Sequence, residues 1–454
     1  MEPTKGSQSC GTIDKEAANK LIEDLNKAVT DLYEFEENYF TNHPISDAPK
    51  KTDHVQEKLN ETLSRLKSEF DQLKDFPECE VRAQCYYLLG RALNIHPAFN
   101  PEAEEALSKA IKLDPSLVNA WNELGECFWK KNDMEEAKNC FNGALKRSHN
   151  KVSLRNLSMI SRQEAAKSTK ECKEKIDIGV QYAKDALSLD PCDGLSWSVL
   201  GNAHLSAFFS IQQNPRTLKQ AMSAYYQAEK DPVAQNKSDL HYNKGVALKY
   251  EEEYPEALES FERAKNLEPS WELPGLKQEQ LLKYLTNTQT LVNQHGRLKA
   301  KKLASLQNTL DEKSLGPYAG GNFTSASGTS VTLTSIPFSK LKEGVNSEKV
   351  ILGFVVCSIH DDDSVPFSFC LTDEEKTTIV VTVYNLAQGK GVIIGDTVAI
   401  PEPFVTFNDF SFQDKKFQFT SVRIDNPLVM VVNGKKVKKD QLASTQLSVF
   451  KVIQ

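Results

Sequence analysis

Apolar residues recur at helical spacing through the first 315 residues of the chain. From Leu21 to Tyr39 they lie three or four residues apart, and a second such series runs from Val55 to Leu73. Apolar residues at this spacing occupy one face of an α-helix. Residues 42–51, which include two prolines, separate the two series and indicate a turn. The pattern predicts a helical hairpin at the amino end of the chain.

A fixed spacing of small and aromatic residues repeats after this hairpin. In two copies a glycine is followed by an alanine, an aromatic residue and a second alanine at offsets of 12, 16 and 19 residues: Gly125, Ala137, Phe141, Ala144, and Gly245, Ala257, Phe261, Ala264. This spacing is typical of the tetratricopeptide repeat, a helix pair of about 34 residues. The small residues allow the two helices to cross closely, and the aromatic side chain fills the gap between them.

Three poorer copies lie in register with these two, at Gly90, at 154–158 and at Gly201. In the last of them Ala221 follows the glycine by 20 residues instead of 12, so extra residues near 208–215 must lengthen the helices or their turn. We count five units over residues 82–269. Because one unit cannot cover its own apolar face, we expect capping helices at Leu276–Leu310.

The spacing of the apolar residues is no longer helical after a segment rich in Gly, Ser and Thr at 314–330. Short runs of β-branched and aromatic residues then follow, at 331–333, 350–359, 367–371, 377–384, 397–400, 417–424 and 428–432. Turn residues such as Asn433-Gly434 separate the runs, which indicates a small barrel or sandwich. The long run at 350–359, the two shorter strands after it and the irregular stretch at 385–391 favour an OB-fold. The predicted fold is thus a tetratricopeptide-repeat α-solenoid followed by a small OB-fold-like β-barrel.

These patterns divide the chain into seven predicted segments. They are a disordered amino terminus (1–12), an amino-terminal hairpin (13–80), repeats (81–270), capping helices (271–313), a linker (314–330), an OB-fold-like domain (331–440) and a tail (441–454).

Charge and cysteine usage exclude several classes of protein. The net charge is −7, from 55 basic and 62 acidic residues, without the basic surplus of a dedicated nucleic-acid binder. The nine cysteines include no Cys-x-x-Cys pair, so we expect reduced thiols in a cytosolic or nuclear protein and no zinc site. No apolar run approaches the roughly 20 residues of a membrane span. We also expect no signal peptide and no cofactor.

Motifs of catalysis and metal binding are missing from the sequence. Gly389-Lys390-Gly391 lacks the rest of a phosphate-loop motif and indicates a turn. Asp361–Asp363 lacks the spacing of a calcium loop and indicates an acidic hairpin. His204 falls at an interior helical position, which favours a buried imidazole over a ligand. We therefore predict a protein without enzymatic activity.

A stack of such repeats offers a concave groove lined by the first helix of each unit. Residues at −6, −3, +1 and +4 from the glycine point inward, as the helical period requires. The set predicted to contact an extended peptide is Asn119, Asn122, Glu126, Arg155, Met159, Arg162, Asn202, Asp239, Tyr242 and Lys249. Amides suit a peptide backbone, and Arg155 or Arg162 suits a carboxylate. The alternative is that these polar residues are only solvated surface.

Two further surfaces suggest ligands. Arg297, Lys299, Lys301 and Lys302 form a local +4 segment that could hold the phosphates of a ribonucleoprotein, or could be a solvated helix end. Lys435, Lys436, Lys438 and Lys439 form a similar cluster that suits a nuclear-import signal. Numerous aromatic residues in the β domain suit single-stranded nucleic acid, although most such residues belong to cores. A DNA- or chromatin-binding transcription cofactor acting through the OB-fold is therefore the competing hypothesis.

The chain resembles a family of tetratricopeptide–OB-fold adaptors. The resemblance is strongest at residues 151–159, 399–403 and 431–435 and covers almost the whole chain. It implies two roles without catalysis: scaffolding an acetyltransferase coactivator complex in the nuclear DNA-damage response, and recognising nascent tubulin at the ribosome in the cytoplasm. The second role would recruit an mRNA-decay adaptor. The resemblance implies that Arg155 is the groove arginine and that 297–302 faces the ribosome. We also expect a monomer that contacts no membrane.

Overall fold

The computed structural model describes residues 14–164, 166–211, 213–320, 322–324, 328, 330–360, 366–387 and 389–443. The predicted amino-terminal segment 1–12, the acidic turn Asp361–Asp363 and most of the predicted tail lie outside the described residues. The chain forms two compact units. One contains the described residues up to Lys244 with Asn266–Trp271, and the other contains Gly245–Lys265 with the described residues from Glu272 onward.

Helices occupy the part of the chain where the apolar period predicts them. Their bounds are α1 Lys15–Glu37, α2 Tyr39–Asn42, α3 Lys51–Leu73, α4 Cys79–Leu93, α5 Pro101–Leu113, α6 Val118–Lys130, α7 Met134–Leu145, α8 Lys151–Gln163, α9 Thr169–Leu189, α10 Gly194–Ser210, α11 Pro215–Ala228, α12 Ser238–Glu251, α13 Tyr254–Leu267, α14 Glu272–Asn293 and α15 Ala300–Gln307. Several begin at a side-chain cap: Asp133, Asn150 and Asp193 each accept a hydrogen bond from a backbone amide of the following turn.

The glycine–aromatic pairs hold the two helices of a repeat together, as predicted. A Cβ atom added to Gly125 would lie 2.7 Å from the Phe141 ring, and one added to Gly201 would lie 2.5 Å from the Tyr225 ring. In the repeat of Gly201, four of the eight extra residues lengthen the first helix, since α10 has 17 residues and α6 has 13. The other four lie between the end of α10 and Ala221. This confirms the prediction made from the wider glycine-to-alanine spacing.

The carboxyl-terminal region is a β-sheet domain. Its strands are β1 Asn322–Thr324, β2 Ser330–Thr332, β3 Thr334–Ser335, β4 Gly344–Val345, β5 Lys349–Ile359, β6 Phe367–Thr372, β7 Thr378–Val383, β8 Thr397–Pro401, β9 Phe404–Phe412, β10 Lys415–Ile424, β11 Val431–Val432 and β12 Lys435–Lys436. Strands β1 and β2 form a hairpin of their own. The others form one sheet in the order β12-β11-β8-β5-β6-β7-β10-β9-β4, with β3 beside β5.

The sheet differs from the predicted barrel in not being closed by hydrogen bonds. Strand β8 pairs with β5, and the next strand, β9, pairs with β10 at the far side of the order. Pro401 and Pro403 lack amide hydrogens and Glu402 has a positive φ of 41°, so the pairing is interrupted where these strands meet. Strand β9 itself was missed by the sequence prediction.

The sheet is covered on both faces within its unit. One face carries a core that includes Val355, Phe369 and Leu371. On the other face α14 packs against β5, β7 and β10, and the Tyr284 hydroxyl lies 3.2 Å from Ser368 Oγ. Part of the predicted linker is also packed, since Leu315 and Tyr318 are buried.

Candidate functional site

The predicted groove residues lie on the first helices of successive repeats. Asn119, Asn122 and Glu126 are on α6; Arg155, Met159 and Arg162 are on α8; Asn202 is on α10; Asp239, Tyr242 and Lys249 are on α12. Lys249 belongs to the second unit and the other nine belong to the first. Some of these nine side chains contact neighbouring repeats, and the others face solvent.

The Asn122 side chain is hydrogen-bonded to its neighbours. Its side chain is buried, its Oδ1 accepts a hydrogen bond of 2.5 Å from Ser153 Oγ, and its Nδ2 donates one of 3.1 Å to Asn150 Oδ1. Asn150 also caps α8 through the amide of Ser153. Asn122 therefore fastens α6 to the first turn of α8, and its amide is engaged in the absence of a peptide.

Two more predicted groove residues link neighbouring repeats. Asn202 Oδ1 accepts hydrogen bonds from the Tyr225 hydroxyl at 2.9 Å and from Asn243 Nδ2 at 3.0 Å. Glu126 Oε1 accepts one from Asn156 Nδ2 at 3.5 Å. Amides and acids on the first helices thus serve first to hold one repeat against the next.

Arg155 pairs with an acidic side chain that the sequence reasoning missed. Its Nη1 lies 2.7 Å from Asp193 Oδ2, and the Arg155 side chain is 15% exposed. Asp193 has other partners too: it caps α10 and lies 3.0 Å from Lys151 Nζ. Because Lys151 and the capping hydrogen bonds remain, Asp193 would stay neutralised if Arg155 turned part of its guanidinium to an incoming carboxylate.

Arg162 is held deeper between helices. Its Nε donates to the Ser158 carbonyl at 3.1 Å and its Nη1 donates to Ser206 Oγ at 3.3 Å. Burial lowers the pKa of Arg162 to about 10, and its stem packs against Gly179. The neighbouring Met159 packs with an apolar cluster that includes Leu200. Both residues are therefore largely committed to packing.

An open cleft lies at the carboxyl end of the first unit. It has a volume of about 530 Å³ and is lined by Lys237, Ser238, Asp239, Glu268, Ser270 and Trp271. Asp239 is exposed there. Tyr242 is buried, with its ring 4.9 Å from that of Trp271. The cleft therefore combines two carboxylates with an indole, a set suited to a cationic side chain with an aliphatic stem. At the other end of the array, Asn119 is exposed on α6.

A polar cluster that the sequence reasoning missed lies near the amino end of the array. The Glu123 carboxylate accepts a 3.0 Å hydrogen bond from Asn94 and lies 3.4 Å from Arg91 Nε. The Tyr33 hydroxyl of α1 donates to the Arg91 carbonyl at 2.9 Å. Burial, with a further contribution from Glu126, raises the pKa of Glu123 to about 7. The cluster shows that α1 reaches the side chains of α4 and α6.

The carboxyl end of α1 also approaches the last repeat of this unit. Glu36 Oε2 lies 3.9 Å from Lys237 Nζ, just before α12. The nearby Lys237 and Lys51 lower the pKa of Glu36 against the opposing effect of burial. This ion pair places the carboxyl end of α1 beside the segment that precedes α12.

The basic segment of the sequence lies in the second unit. Arg297, Lys299, Lys301 and Lys302 are exposed. Lys299 is the residue that precedes α15, and Lys301 and Lys302 lie in its first turn. Cations in the first turn oppose the helix dipole, so helix stability does not explain their position. Both the phosphate-binding prediction and the alternative of a solvated helix end are compatible with this exposure.

No described helix has both the length and the apolar composition needed to cross a bilayer. The described residues also contain no cluster of three or more His, Cys, Asp or Glu side chains that could hold a metal ion.

Comparison with known proteins places these features in a family. Residues 332–446 match the family model described as the tetratricopeptide repeat protein 5 OB fold domain, and residues 118–150 match a tetratricopeptide repeat model. The chain is 43% identical to tetratricopeptide repeat protein 5 of Bos taurus over 96% of this chain and 98% of that one. It is 44% identical to the Homo sapiens protein over 93% and 95% of the two chains.

Among solved structures, the chain is similar to YrrB, described as a TPR protein with an unusual peptide-binding site. The identity is 21% and the TM-score 0.31, over 46% of this chain and 97% of that one. The relatives are named as repeat proteins, and the two kinds of domain support a repeat-based adaptor or scaffold. From the identity shared across nearly its whole length, the chain belongs to the tetratricopeptide repeat protein 5 family.

Proposed function

We propose that the protein is a non-enzymatic adaptor that binds the amino-terminal peptide of nascent tubulin in the concave face of its repeats. In this proposal it acts at the ribosome, recruits an mRNA-decay adaptor and so triggers decay of tubulin mRNA. We extend the proposal to a second, nuclear role as a scaffold of an acetyltransferase coactivator complex. The protein would then work in both cytoplasm and nucleus.

The observation that carries the proposal is the presence of a carboxylate and a cation, Asp239 and Arg155, on the first helices of two repeats of the same unit. In the role that the family resemblance implies, the bound peptide begins Met-Arg-Glu. Such a peptide needs a carboxylate for its arginine and a cation for its glutamate. The cleft supplies exposed Asp239 beside Trp271. Arg155 supplies the cation, since Lys151 and the capping hydrogen bonds would keep its present partner Asp193 neutralised. Bidentate pairing of arginine with a carboxylate is among the strongest polar contacts available to a peptide.

Peptide binding by the full-length protein tests the proposal. We expect a fluorescent Met-Arg-Glu peptide to bind, and Arg155→Ala to weaken it by about tenfold or more, or about 1.4 kcal/mol per factor of ten. Lys219→Ala removes an exposed cation from α11 and should leave affinity unchanged. Replacing the peptide's glutamate by glutamine should weaken wild-type binding and have little further effect on Arg155→Ala. Equal binding of both peptides by both proteins would contradict the assignment of Arg155.

Ribosome association tests the role of the basic segment separately. We expect Lys301→Glu with Lys302→Glu to reduce cosedimentation with ribosomes. The loss should be largest at low salt and shrink as salt rises, because the variant makes fewer counterion-releasing phosphate contacts than the wild type. Lys438→Glu with Lys439→Glu makes the same charge change at another exposed basic cluster and should have little effect. A protein that sediments equally well with either pair of substitutions would count against a ribosome contact at 297–302.

One observation favours the competing hypothesis of nucleic-acid binding. Phe404 and Phe407 of β9 are 46% and 49% exposed, and exposed aromatic rings can stack on bases. The same strand also presents Asp409, and Glu343 accepts a hydrogen bond from the Phe407 amide. Tight, salt-sensitive binding of single-stranded DNA that is lost in Phe404→Ala with Phe407→Ala would favour this hypothesis over the adaptor.

A further inference from the structure

Two cysteines lie directly opposite each other on neighbouring antiparallel strands of the second unit. The register of β5 and β6 pairs Cys357 with Cys370. Both side chains are buried. Cys370 lies between Phe369 and Leu371, which are part of the core on one face of the sheet, so alternation directs Cys370 to the face covered by α14. The pair therefore lies between the sheet and the elements packed on it.

The strand register already satisfies most of the geometry of a disulfide. Opposed residues of an antiparallel pair have Cα atoms about 4.5–5.5 Å apart, within the range of about 4.4–6.8 Å found in disulfides. Their Cβ atoms are about 4.5–5.5 Å apart, against about 3.5–4.5 Å in a disulfide. The required approach is therefore on the order of 1 Å. A β-bulge between Val355 and Cys357 interrupts the regular pairing at this point, and a bulge lets a strand adjust locally.

The two thiols already interact. Interaction with the Cys370 thiol lowers the pKa of Cys357 against the opposing effect of burial. The backbone of Cys370 and the charge of Arg297 lower it further. The same interaction, with burial, raises the pKa of Cys370. Cys357 is therefore the thiol that ionises first, and Cys370 is placed to react with it.

The other buried cysteines among the described residues lie on helices and have no cysteine opposite them in a strand pair. Burial raises the pKa of the Cys85 and Cys140 thiols to about 12. Thiols of this kind are inert because the thiolate is the reactive form. Cys79 and Cys192 are exposed instead, which provides solvent-accessible thiols for comparison within the same molecule.

We propose that Cys357 and Cys370 form a peroxide-sensitive dithiol that closes reversibly to a disulfide. The Cys357 thiolate attacks one oxygen of hydrogen peroxide and the O–O bond breaks, giving a sulfenic acid and a hydroxide that takes up the proton released by Cys357. The Cys370 sulfur then attacks the sulfenic sulfur, the S–S bond forms, and the S–O bond breaks as water leaves with the Cys370 proton. Two thiols are oxidised and one peroxide is reduced to two waters.

The surroundings of the pair make this disulfide a reducible one. A Cβ atom added to Gly296 would lie 2.7 Å from the Val356 carbonyl oxygen, so the turn at His295–Arg297 sits directly on the bulge. Drawing the strands together beneath this turn strains the closed form, and strained disulfides are the labile, regulatory ones. The same turn begins the basic segment with Arg297. The inference is independent of the proposed peptide binding.

Mass spectrometry of the full-length protein tests the proposal. After treatment with hydrogen peroxide, remaining thiols are alkylated under denaturing conditions and the digest is searched for peptides joined through Cys357 and Cys370. We expect a linked pair with the loss of two hydrogen masses, restored to two alkylatable thiols by dithiothreitol. Cys85 and Cys140 should stay alkylatable throughout. Recovery of Cys357 and Cys370 as free thiols under conditions that oxidise exposed Cys79 and Cys192 would overturn the proposal, as would their conversion to sulfonic acids without a linked peptide.

Variants test the order of the two steps. In Cys370→Ser the sulfenic acid at Cys357 has no resolving thiol, so we expect it to accumulate and to be trapped by dimedone. Cys192→Ser serves as the control and should form the 357–370 link like the wild type. A Cys370→Ser protein that yields no dimedone adduct at Cys357, although folded by circular dichroism, would show that Cys357 is not the attacking thiol. The wild-type measurement stands without either variant.

Discussion

Gly245 shows how one missing side chain sets the packing of a helix pair. A Cβ atom there would lie 2.8 Å from the Phe261 ring, closer than carbon atoms approach without displacement. We predict that Gly245→Ala lowers the stability of its unit by about 1–3 kcal/mol, as overpacking of a filled core does. The lower midpoint of its thermal transition, followed by circular dichroism, measures the effect.

Gly275 of α14 provides the matched control for this substitution. A Cβ atom there meets nothing closer than 3.4 Å, the flexible Lys265 side chain. Alanine is favoured over glycine in a helix interior by about 1 kcal/mol. Gly275→Ala should therefore leave the midpoint unchanged or raise it, and a drop equal to that of Gly245→Ala would show that close contact is not the cause.

His204 gives the first unit a defined dependence on pH. Burial, reinforced by Lys184, lowers its pKa from about 6.5 to about 4. As the pH falls from 6.5 toward 4 the unfolded chain binds a proton that the folded chain does not, so the stability contributed by neutral His204 is lost over this range. At about 1.4 kcal/mol per pKa unit, the loss amounts to about 3 kcal/mol. His204→Gln should reduce the slope of unfolding free energy against pH, whereas exposed His149→Gln should not.

Individual residues also show which contacts can be predicted from the sequence and which cannot. The Gly125–Phe141 contact was predictable because both residues belong to one repeat with a fixed spacing. The hydrogen-bond partner of Asn122 was not predictable, because periodicity indicates the face of the helix on which a residue lies and not the side chain that it contacts. Its amide is engaged by Ser153, 31 residues later. Which concave polar groups hold repeats together depends on such contacts between repeats.

At the scale of elements, Asp193 joins the cap of α10 to the cation on α8. We predict that Asp193→Asn keeps the cap, because an amide oxygen also accepts from the first turn, but frees Arg155 of its counter-charge. Thermal stability should fall little and the Met-Arg-Glu peptide should bind more tightly than to wild type. Asp193→Ala removes both the cap and the charge, and should cost about 1 kcal/mol or more.

The outcome for the two substitutions separates two roles of Asp193. Equal stability of the alanine and asparagine variants would mean that the cap contributes little. Unchanged or weaker peptide binding by Asp193→Asn, measured by anisotropy beside wild type, would mean that Arg155 does not receive the peptide carboxylate.

Strand β9 shows a limit of pattern reading at the same scale. Its sequence, Phe404–Phe412, does not alternate cleanly, and Asn408 is buried in it with its Nδ2 3.0 Å from Ser421 Oγ. A polar residue facing inward hides the period of two on which strand prediction rests. The strand is defined by its pairing with β10, and that pairing cannot be inferred from β9 alone. The long apolar run of β5, in contrast, was predicted almost to the residue.

At the scale of the molecule, most of the last repeat belongs to the unit that contains the sheet. Residues 245–265 cluster with the β domain, although their glycine and aromatic residues match the repeat spacing. Arg423 Nη1 of β10 donates to the Tyr250 carbonyl at 2.7 Å, and the Arg423 guanidinium lies 4.0 Å from the Tyr384 ring. Contacts between residues so far apart in sequence leave no local pattern, so reading the chain in order could not have placed this repeat with the strands.

Tyr384 tests whether the last repeat and the sheet open together. Its hydroxyl lies 3.0 Å from the Tyr250 carbonyl and 3.1 Å from Glu252 Oε1, and both Glu252 and Tyr384 are buried. Tyr384→Phe keeps the ring beneath Arg423 but removes the hydroxyl, so the two acceptors retain only Arg423 as a partner. We expect a cost of about 1 kcal/mol. If the network joins the two elements, hydrogen exchange should accelerate both at 250–254 and along β7 and β10. Tyr226→Phe, at a ring that is 50% exposed, should change neither. Faster exchange in the strands with full protection at 250–254 would mean that the repeat is held by its own helices, and that the hydroxyl only stabilises the sheet.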